Sequence, residues 1–378
     1  MTQPSQQRPS HTALARETGR RGSGAASLPN QATTIDVGQG APVPVLLAAS
    51  EQFANRLKKN ARMRRKWARR EGVSCYRVYD ADLPDYAAAI DLYEGEDRSG
   101  MPGRWLVVAE YAAPSTVDAE IARARMEDML ALAPRILDVD PEHVFARTRL
   151  QARGGSQYGR QDSRREARGI AIREGGLTFE VDFTSYLDTG IFLDHRATRG
   201  LVRQRVRELS PCRFLNLFAY TGTATCYAAD GGATETVTVD LSNTYLDWAE
   251  RNMEANGFTG PEHHYVRHDV LDWIEWQVGT RNRWDLIFCD PPTFSNSSKM
   301  GRRTWDVQRD HVYLLEGLTR LLTRGGEAIF SCNLRNFRPD LRALDRAGVA
   351  LEDITASTIP EDFARNHKIH HCYVVRRA

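Results

Sequence analysis

The sequence predicts an α/β protein: a mostly parallel sheet with helices on both faces, joined to a smaller N-terminal α+β module. Three observations predict it. After about residue 195, strand-like apolar runs alternate with helical ones, the pattern of repeated βαβ units. Between about residues 50 and 185 the order is a helix, several strands, a helix and more strands, which fits a separate α+β unit. The 378 residues are enough for two domains with a sizeable core.

The expected organisation is a tail over residues 1–46, an α+β domain over 47–185 and the α/β domain over 186–378. The tail is rich in Gln, Ser, Thr, Gly, Ala and Pro, buries too little apolar surface to offset its ordering entropy, and is read as disordered. Ser50 to Arg70 reads as a helix, with Ser50 as cap and Phe53, Leu57 and Trp67 facing inward. Strands are expected near Cys75–Asp80, Ala87–Tyr93 and Arg104–Tyr111, then a helix over Thr116–Leu132. Further strands are expected at Val144–Leu150 and Ile170–Phe183, the latter folded at Gly175-Gly176. Gly154 to Gly169 lacks apolar periodicity and reads as an arginine-rich loop. In the α/β part, strands are expected at Arg213–Phe218, Glu235–Asp240, His264–Arg267, Trp284–Asp290, Glu327–Cys332 and Ile369–Arg376. Helices are expected over Ser242–Asn256, Val270–Val278 and Val307–Leu322.

Composition excludes some classes. No apolar run approaches the ~20 residues of a membrane span, and no secretory signal is seen. The six cysteines form no C-x-x-C pair, so neither a zinc ribbon nor a redox motif is expected, and no metal site. They fit reduced thiols in the cytoplasm. Net charge is +2, yet it is unevenly spread. Between Glu51 and Arg70 the only acid is Glu51, among many cations. Arg56, Lys59, Arg62, Arg65 and Arg69 are the candidate polyanion contacts, against the plainer reading of a solvated helix face.

Four stretches carry chemistry. Phe218-Ala219-Tyr220-Thr221-Gly222 follows a strand and opens a helix, where ligands of open α/β sheets bind, and its glycine would let a ligand near the backbone. It is not G-x-G-x-x-G, so a dinucleotide is poorly supported. Asp240-Leu241 ends the second strand, 18 positions after Gly222, close to the spacing of a carboxylate that reaches a ribose. Asp269-Val270 ends the third strand, where Asp269 either accepts from an exocyclic amine or caps the next helix. Asp290-Pro291-Pro292-Thr293-Phe294 ends a buried strand with an acid, two rigid prolines and an aromatic ring able to stack on an extruded base. Asp290, Pro291, Pro292 and Phe294 are the candidate catalytic residues.

These motifs resemble class I methyltransferases acting on ribosomal RNA, and within them the K-type half (RlmK) of the bifunctional K/L large-subunit enzymes. The likeness runs from about residue 50 to the end. It includes Phe53-Ala54-Asn55-Arg56-Leu57, Tyr76 to Pro84, Tyr186 to Arg196, Asp306 to His311 and Asp362 to Asn366. It implies a Rossmann-like fold with a seven-stranded, mostly parallel sheet, S-adenosylmethionine as cofactor, and methyl transfer to guanine N7 of 23S ribosomal RNA. It implies that Phe218 to Gly222, Asp240, Leu241, Asp269, Val270 and Asp290 line the donor pocket, with Tyr186 to Arg196, including Asp194 and Arg196, as a wall. It also implies that the α+β module grips RNA. Where the family carries a fused second methyltransferase half, this sequence has the low-complexity segment.

Guanine N7 carries a lone pair and no proton, so positioning rather than a general base would drive transfer. The competing chemistry is cytosine-C5 methylation, which needs a cysteine nucleophile. Cys332, at the end of the fifth strand, and Cys289 are its candidates, against their reading as small buried hydrophobes. Exocyclic-amine methylation and a non-catalytic RNA-binding protein with a vestigial donor pocket are further alternatives.

Overall fold

The computed structural model describes residues 33–38, 40–111, 116–149, 169–186, 188–295 and 304–378. The arginine-rich segment 154–169 expected as a loop therefore lies, but for Gly169, outside the described residues, as does most of the expected tail.

Helix α1 (Ser50–Glu71) buries Phe53, Ala54, Leu57, Ala61 and Trp67, the inward stripe that the spacing predicts. It ends at Gly72, whose φ of 65° permits the left-handed turn, with its N–H bonded to the Ala68 carbonyl. Ser50 is not its cap. The Ser50 hydroxyl instead donates to Asp128 Oδ2 at 2.5 Å. Asp128, buried on α2 (Ala119–Leu137), also accepts from the Leu46 and Leu47 amides at 2.7 and 3.0 Å. One carboxylate thus ties both helices together and takes the serine out of capping range.

The tail expected over 1–46 ends earlier than composition suggested. Thr33–Ile35 pairs antiparallel with Val43–Val45. Ile35, Val37, Val43 and Val45 are buried in one core with α1 and α2. Their alternation is a period-two apolar pattern that the surrounding Gly, Pro and Thr obscured.

A six-stranded sheet backs these helices among the described residues. Its strands are Tyr76–Asp80, Ala88–Glu96, Pro102–Tyr111, Val144–Arg149, Ile170–Glu174 and Leu177–Val181. Only Pro102–Tyr111 and Val144–Arg149 pair in parallel. The last two strands form the hairpin turned at Gly175-Gly176, and it faces both ways. It meets the first sheet only through Gly95 and Glu96. Its side chains Ile170, Ile172, Phe179 and Val181 share a core with Cys226, Tyr227 and Met253 of the second unit. The Thr178 and Glu180 amides donate to Asn256 and Asn252 side chains at 2.8 and 2.9 Å.

The second unit is a seven-stranded sheet. Its strands are β1 (Arg213–Leu217), β2 (Glu235–Asp240), β3 (His263–Arg267), β4 (Trp284–Cys289), β5 (Leu322–Cys332), β6 (Val349–Asp353) and β7 (His371–Arg377). The spatial order is β3-β2-β1-β4-β5-β7-β6. All neighbours pair in parallel except β7, which runs antiparallel to β5 and β6. Helices α3 (Arg196–Glu208), α4 (Thr223–Asp230), α5 (Asn243–Glu254), α6 (Val270–Val278) and α7 (Val307–Leu321) connect and cover it. This is the Rossmann-like architecture that the alternating pattern predicts. Strand order reverses between β1 and β4, and a ligand crevice belongs outside the carboxyl ends of the strands at such a switch point.

Candidate active site

Three strand ends define the site. Leu217 pairs with Val239 on one side and with Cys289 on the other. The next residue on each strand is Phe218, Asp240 and Asp290, so all three stand at one height on the same rim. With strands about 4.8 Å apart, the two carboxylates are separated by about 10 Å across β1. The two sequence-predicted acids therefore stand on either side of β1 at one rim.

The turn between β1 and α4 is strained. Phe218 and Tyr220, neither a glycine, have φ of 54° and 51°. Such conformations cost energy and survive where the surroundings fix them. Here the Ala219 amide donates to the Val239 carbonyl at 3.1 Å and the Tyr220 amide to Asp240 Oδ2 at 3.0 Å. Asp240 Oδ1 accepts from the Ser242 amide at 2.9 Å. The carboxylate is thus locked in place. Leu241, next to it, is half-buried. Gly222 has φ of 68°, and a Cβ there would lie 2.5 Å from Ala249 Cβ. The close approach of α5 by itself requires glycine here, a reason the sequence did not offer.

The segment preceding α3 is clamped to this turn. Gly190 N–H donates to Tyr220 Oη at 3.1 Å, and buried Thr221 Oγ1 donates to the Gly190 carbonyl at 2.5 Å. Thr221 thereby serves the clamp. Asp269 caps α6, accepting from the Leu271 and Asp272 amides at 3.0 and 3.2 Å. Both bonds use Oδ1. Val270 is buried in the core.

After β4, Pro291 is buried and Pro292 half-buried, and the Pro292 carbonyl accepts from Trp305 Nε1 at 2.7 Å. Thr293 Oγ1 donates to Asn333 Oδ1 at 2.5 Å. Phe294–Ser295 then pairs antiparallel with Trp305–Asp306. The loop is rigid up to Phe294, whose ring is 46% exposed beside the rim. An exposed aromatic held by a stiff loop is suited to stacking.

Sequence reasoning missed the cluster behind Asp290. His195 Nε2 lies 3.9 Å from Asp290 Oδ2 and 3.6 Å from Asp194 Oδ2. His370 Nδ1 lies 3.0 Å from the same Asp194 oxygen, and its Nε2 3.0 Å from Thr358 Oγ1. Burial raises the Asp290 pKa, against an opposing pull from His195. Burial lowers that of His195 although Asp290 and Asp194 oppose it. Asp194 stays well below the usual carboxylate range: burial opposes this, and His195 with the His370 hydrogen bond outweighs it. The adjacent His370-His371 pair and the isolated Asp194-His195 gave no spacing from which this meeting could be read.

Arg196 is committed elsewhere than the sequence suggested. Its guanidinium bonds Asp362 Oδ1 at 3.0 Å and the Cys75 carbonyl at 2.5 Å, and pairs with Glu174 at 3.4 Å. It joins the two units behind the wall. Neither candidate nucleophile is exposed. Cys332 and Cys289 are fully buried, with burial pushing Cys332 up to about 12 and Cys289 well above its ordinary value. A thiol whose ionisation is disfavoured is a poorer nucleophile.

The cations of α1 divide into two sets. Arg64 and Arg70 pair with Glu361 at 3.5 and 3.6 Å, and Arg56 lies 3.9 Å from Asp82. Arg62, Arg65, Lys66 and Arg69 have no ion pair among the described residues. With Lys58 they line a cavity of about 630 Å³ floored by Val37, Ala61 and Ile136, with Asp138 its one acid. From Lys58 to Arg69 the stripe runs about 16 Å along the helix. Arg56 and Lys59, both expected as polyanion contacts, are not among the lining residues, while Lys58 and Lys66 join them.

A family model described as S-adenosylmethionine-dependent methyltransferase matches residues 102–356. The ribosomal RNA large subunit methyltransferase K/L of Allochromatium vinosum is 53% identical over 325 residues, 86% of this chain and 42% of that protein. Its namesake from Methylococcus capsulatus is 51% identical over 324 residues, again 86% of this chain and 42% of that protein. The chain thus spans about two fifths of the length of these relatives. A solved structure described as a methyltransferase complexed with SAH shares the fold, with a TM-score of 0.63 at 20% identity over 84% of this chain and 80% of that one. The family match extends over more than half of the residues, and the chain belongs to the S-adenosylmethionine-dependent methyltransferases, with S-adenosylmethionine as its methyl donor.

Proposed function

We propose that the chain methylates a base of large-subunit ribosomal RNA, at guanine N7. The observation that carries this reading is the shared rim: Asp240, Phe218 and Asp290 at one register height, with exposed Phe294 beside them. When bound, S-adenosylmethionine supplies an electrophilic methyl carbon on a positively charged sulfur. The Phe218–Gly222 backbone and Asp240 hold its nucleoside, Asp240 accepting from ribose hydroxyls. Asp269 keeps one oxygen for the adenine amine, beside Leu241 and Val270. Asp194 and Arg196 act from behind, Asp194 through His195 and Arg196 as a brace of the wall.

Asp290 and the Pro291-Pro292 backbone orient the guanine, and Phe294 stacks on it. N7 attacks through its lone pair, so no proton has to be removed and the contribution of these residues is alignment and water exclusion. The base becomes cationic, and the Asp290 carboxylate offsets that charge. The proposed transfer needs no metal, and the Asp194–His195–His370 group is read as an acid–base network, with both His370 ring nitrogens hydrogen-bonded. Arg62, Arg65 and Arg69, with Lys58 and Lys66, hold the RNA backbone, with Arg56 and Lys59 at the edge of that surface.

The names of the relatives support ribosomal RNA as the substrate, and the buried, protonated thiols disfavour cytosine C5. The test is methylation of protein-free large-subunit ribosomal RNA, followed by nucleoside digestion and mass spectrometry. 7-Methylguanosine is expected. 5-Methylcytidine, or a guanine methylated on its exocyclic amine, would overturn the atom assignment. Donor binding without transfer would leave an RNA-binding protein.

A further inference from the structure

Behind the rim, four ionisable side chains from three parts of the chain converge. Asp194 and His195 lie on the short turn Leu193–His195 ahead of α3, Asp290 ends β4, and His370 precedes β7. Their hydrogen bonding is unequal. Asp194 has a partner in His370, at 3.0 Å, and that ring is fixed from its other side by Thr358, whose own hydroxyl donates to the Thr355 carbonyl at 3.0 Å. Asp290 has no such arrangement with a base. The nearest is His195, whose Nε2 points between the two carboxylates at 3.6 and 3.9 Å, too far for a hydrogen bond to either. His195 is buried, its ring 4.8 Å from that of His370 and 6.4 Å from Phe288. The charged groups around it are Asp194, Asp290, His370 and Arg199, and the last is already paired with Glu174 at 2.7 Å.

A buried carboxylate is costly unless a positive charge accompanies it. Two such charges can serve Asp290: a proton on His195, or the sulfonium of the donor. We propose that at mildly acidic pH His195 carries the counter-charge to Asp290 while the donor pocket is empty and releases it when the sulfonium arrives, so that His195 makes the preference for the cationic donor over its neutral thioether product depend on pH. This rests on the proposed function, in which Asp290 stands at the reacting end of the pocket, where the donor methyl meets the base. The balance is simple: the N–H bond at His195 Nε2 breaks, the proton passes to solvent, and one positive charge replaces another beside the same carboxylate. The product, S-adenosylhomocysteine, has no charge on sulfur, so the proton returns and the product is no longer held by Asp290.

Donor and product share every other titrating group, so the ratio of their dissociation constants isolates this effect. Calorimetry of the full chain with each ligand, from pH 5 to pH 8 and in two buffers of different ionisation enthalpy, gives that ratio and the protons released. With the wild type, the preference for S-adenosylmethionine is expected to fall as pH drops below the ordinary imidazole range, by up to tenfold per unit. Donor binding is expected to release a proton there and product binding not to. In His195→Asn and His195→Gln the ratio is expected to be flat and the proton release lost, while both variants still bind S-adenosylhomocysteine at pH 8, which shows that they fold. Equal proton release in the wild type and both variants would overturn the proposal and move the titration to Asp290 itself. A wild type that binds neither ligand would instead sink the donor-pocket reading.

Discussion

Asp240 and Asp290 stand at the same height on β2 and β4, with only Phe218 of β1 between them. The proposed function pairs one acid with the donor nucleoside and the other with the reacting end, and their placement lets the two roles be separated by mutation. Asp240→Ala is expected to weaken S-adenosylmethionine binding at least tenfold by calorimetry, since a hydrogen bond to a charged group contributes about 1.5–3 kcal/mol. Asp290→Asn is expected to lower the single-turnover rate by about 10²–10³ through lost electrostatic stabilisation. Equal effects of both changes on binding and rate would count against divided roles.

The cysteine chemistry is tested by Cys332→Ser. Its turnover is expected within about twofold of the wild type, because the thiol is buried and pushed up to about 12. A covalent RNA adduct with the wild type that disappears in the variant would establish the cytosine reaction.

The basic stripe predicts a salt signature. Arg62→Gln, Arg65→Gln and Arg69→Gln together are expected to weaken RNA binding and to reduce the slope of log affinity against log salt by about 2–3, near one per phosphate contact. Arg70→Gln, which removes a cation already paired with Glu361, serves as the comparison and is expected to change the slope far less. An unchanged slope in the triple variant would remove α1 from the RNA surface.

Gly222→Ala tests the strained turn. The added methyl meets Ala249 at 2.5 Å in a left-handed backbone, so a loss of about 1–3 kcal/mol in urea unfolding is expected. A neutral result would mean that α5 shifts freely.

Asp194 makes a pH prediction. Its folded pKa lies below the unfolded value, because His195 and the hydrogen bond from His370 together outweigh the opposing effect of burial. A depressed carboxylate adds stability that is fully present above its unfolded value, near pH 4, and is lost as pH falls through the folded one. Asp194→Asn is therefore expected to be less stable than the wild type at pH 6, with the gap closing below pH 4. A gap that widens in acid would contradict the assignment.

Much of this was legible in the sequence because local and global signals agreed. The strand ends at Asp240 and Asp290 announce themselves through apolar runs that stop at an acid. The first strands hid because Ile35, Val37, Val43 and Val45 are a short alternation inside polar, glycine-containing sequence. The His195–Asp290 contact hid for another reason: it joins residues 95 positions apart, and nothing local reports long-range proximity. Ser50 carried the right chemistry for a cap, and a distant carboxylate, Asp128, claimed it instead, while the bond from Arg196 to Asp362 was equally hidden by sequence distance.

A crystal structure with S-adenosylhomocysteine bound tests the central claim most directly. The account predicts ribose hydroxyls on the Asp240 carboxylate and the sulfur turned toward Asp290, beneath the ring of Phe294. A nucleoside seated away from the ends of β1, β2 and β4, touching neither acid, would contradict it.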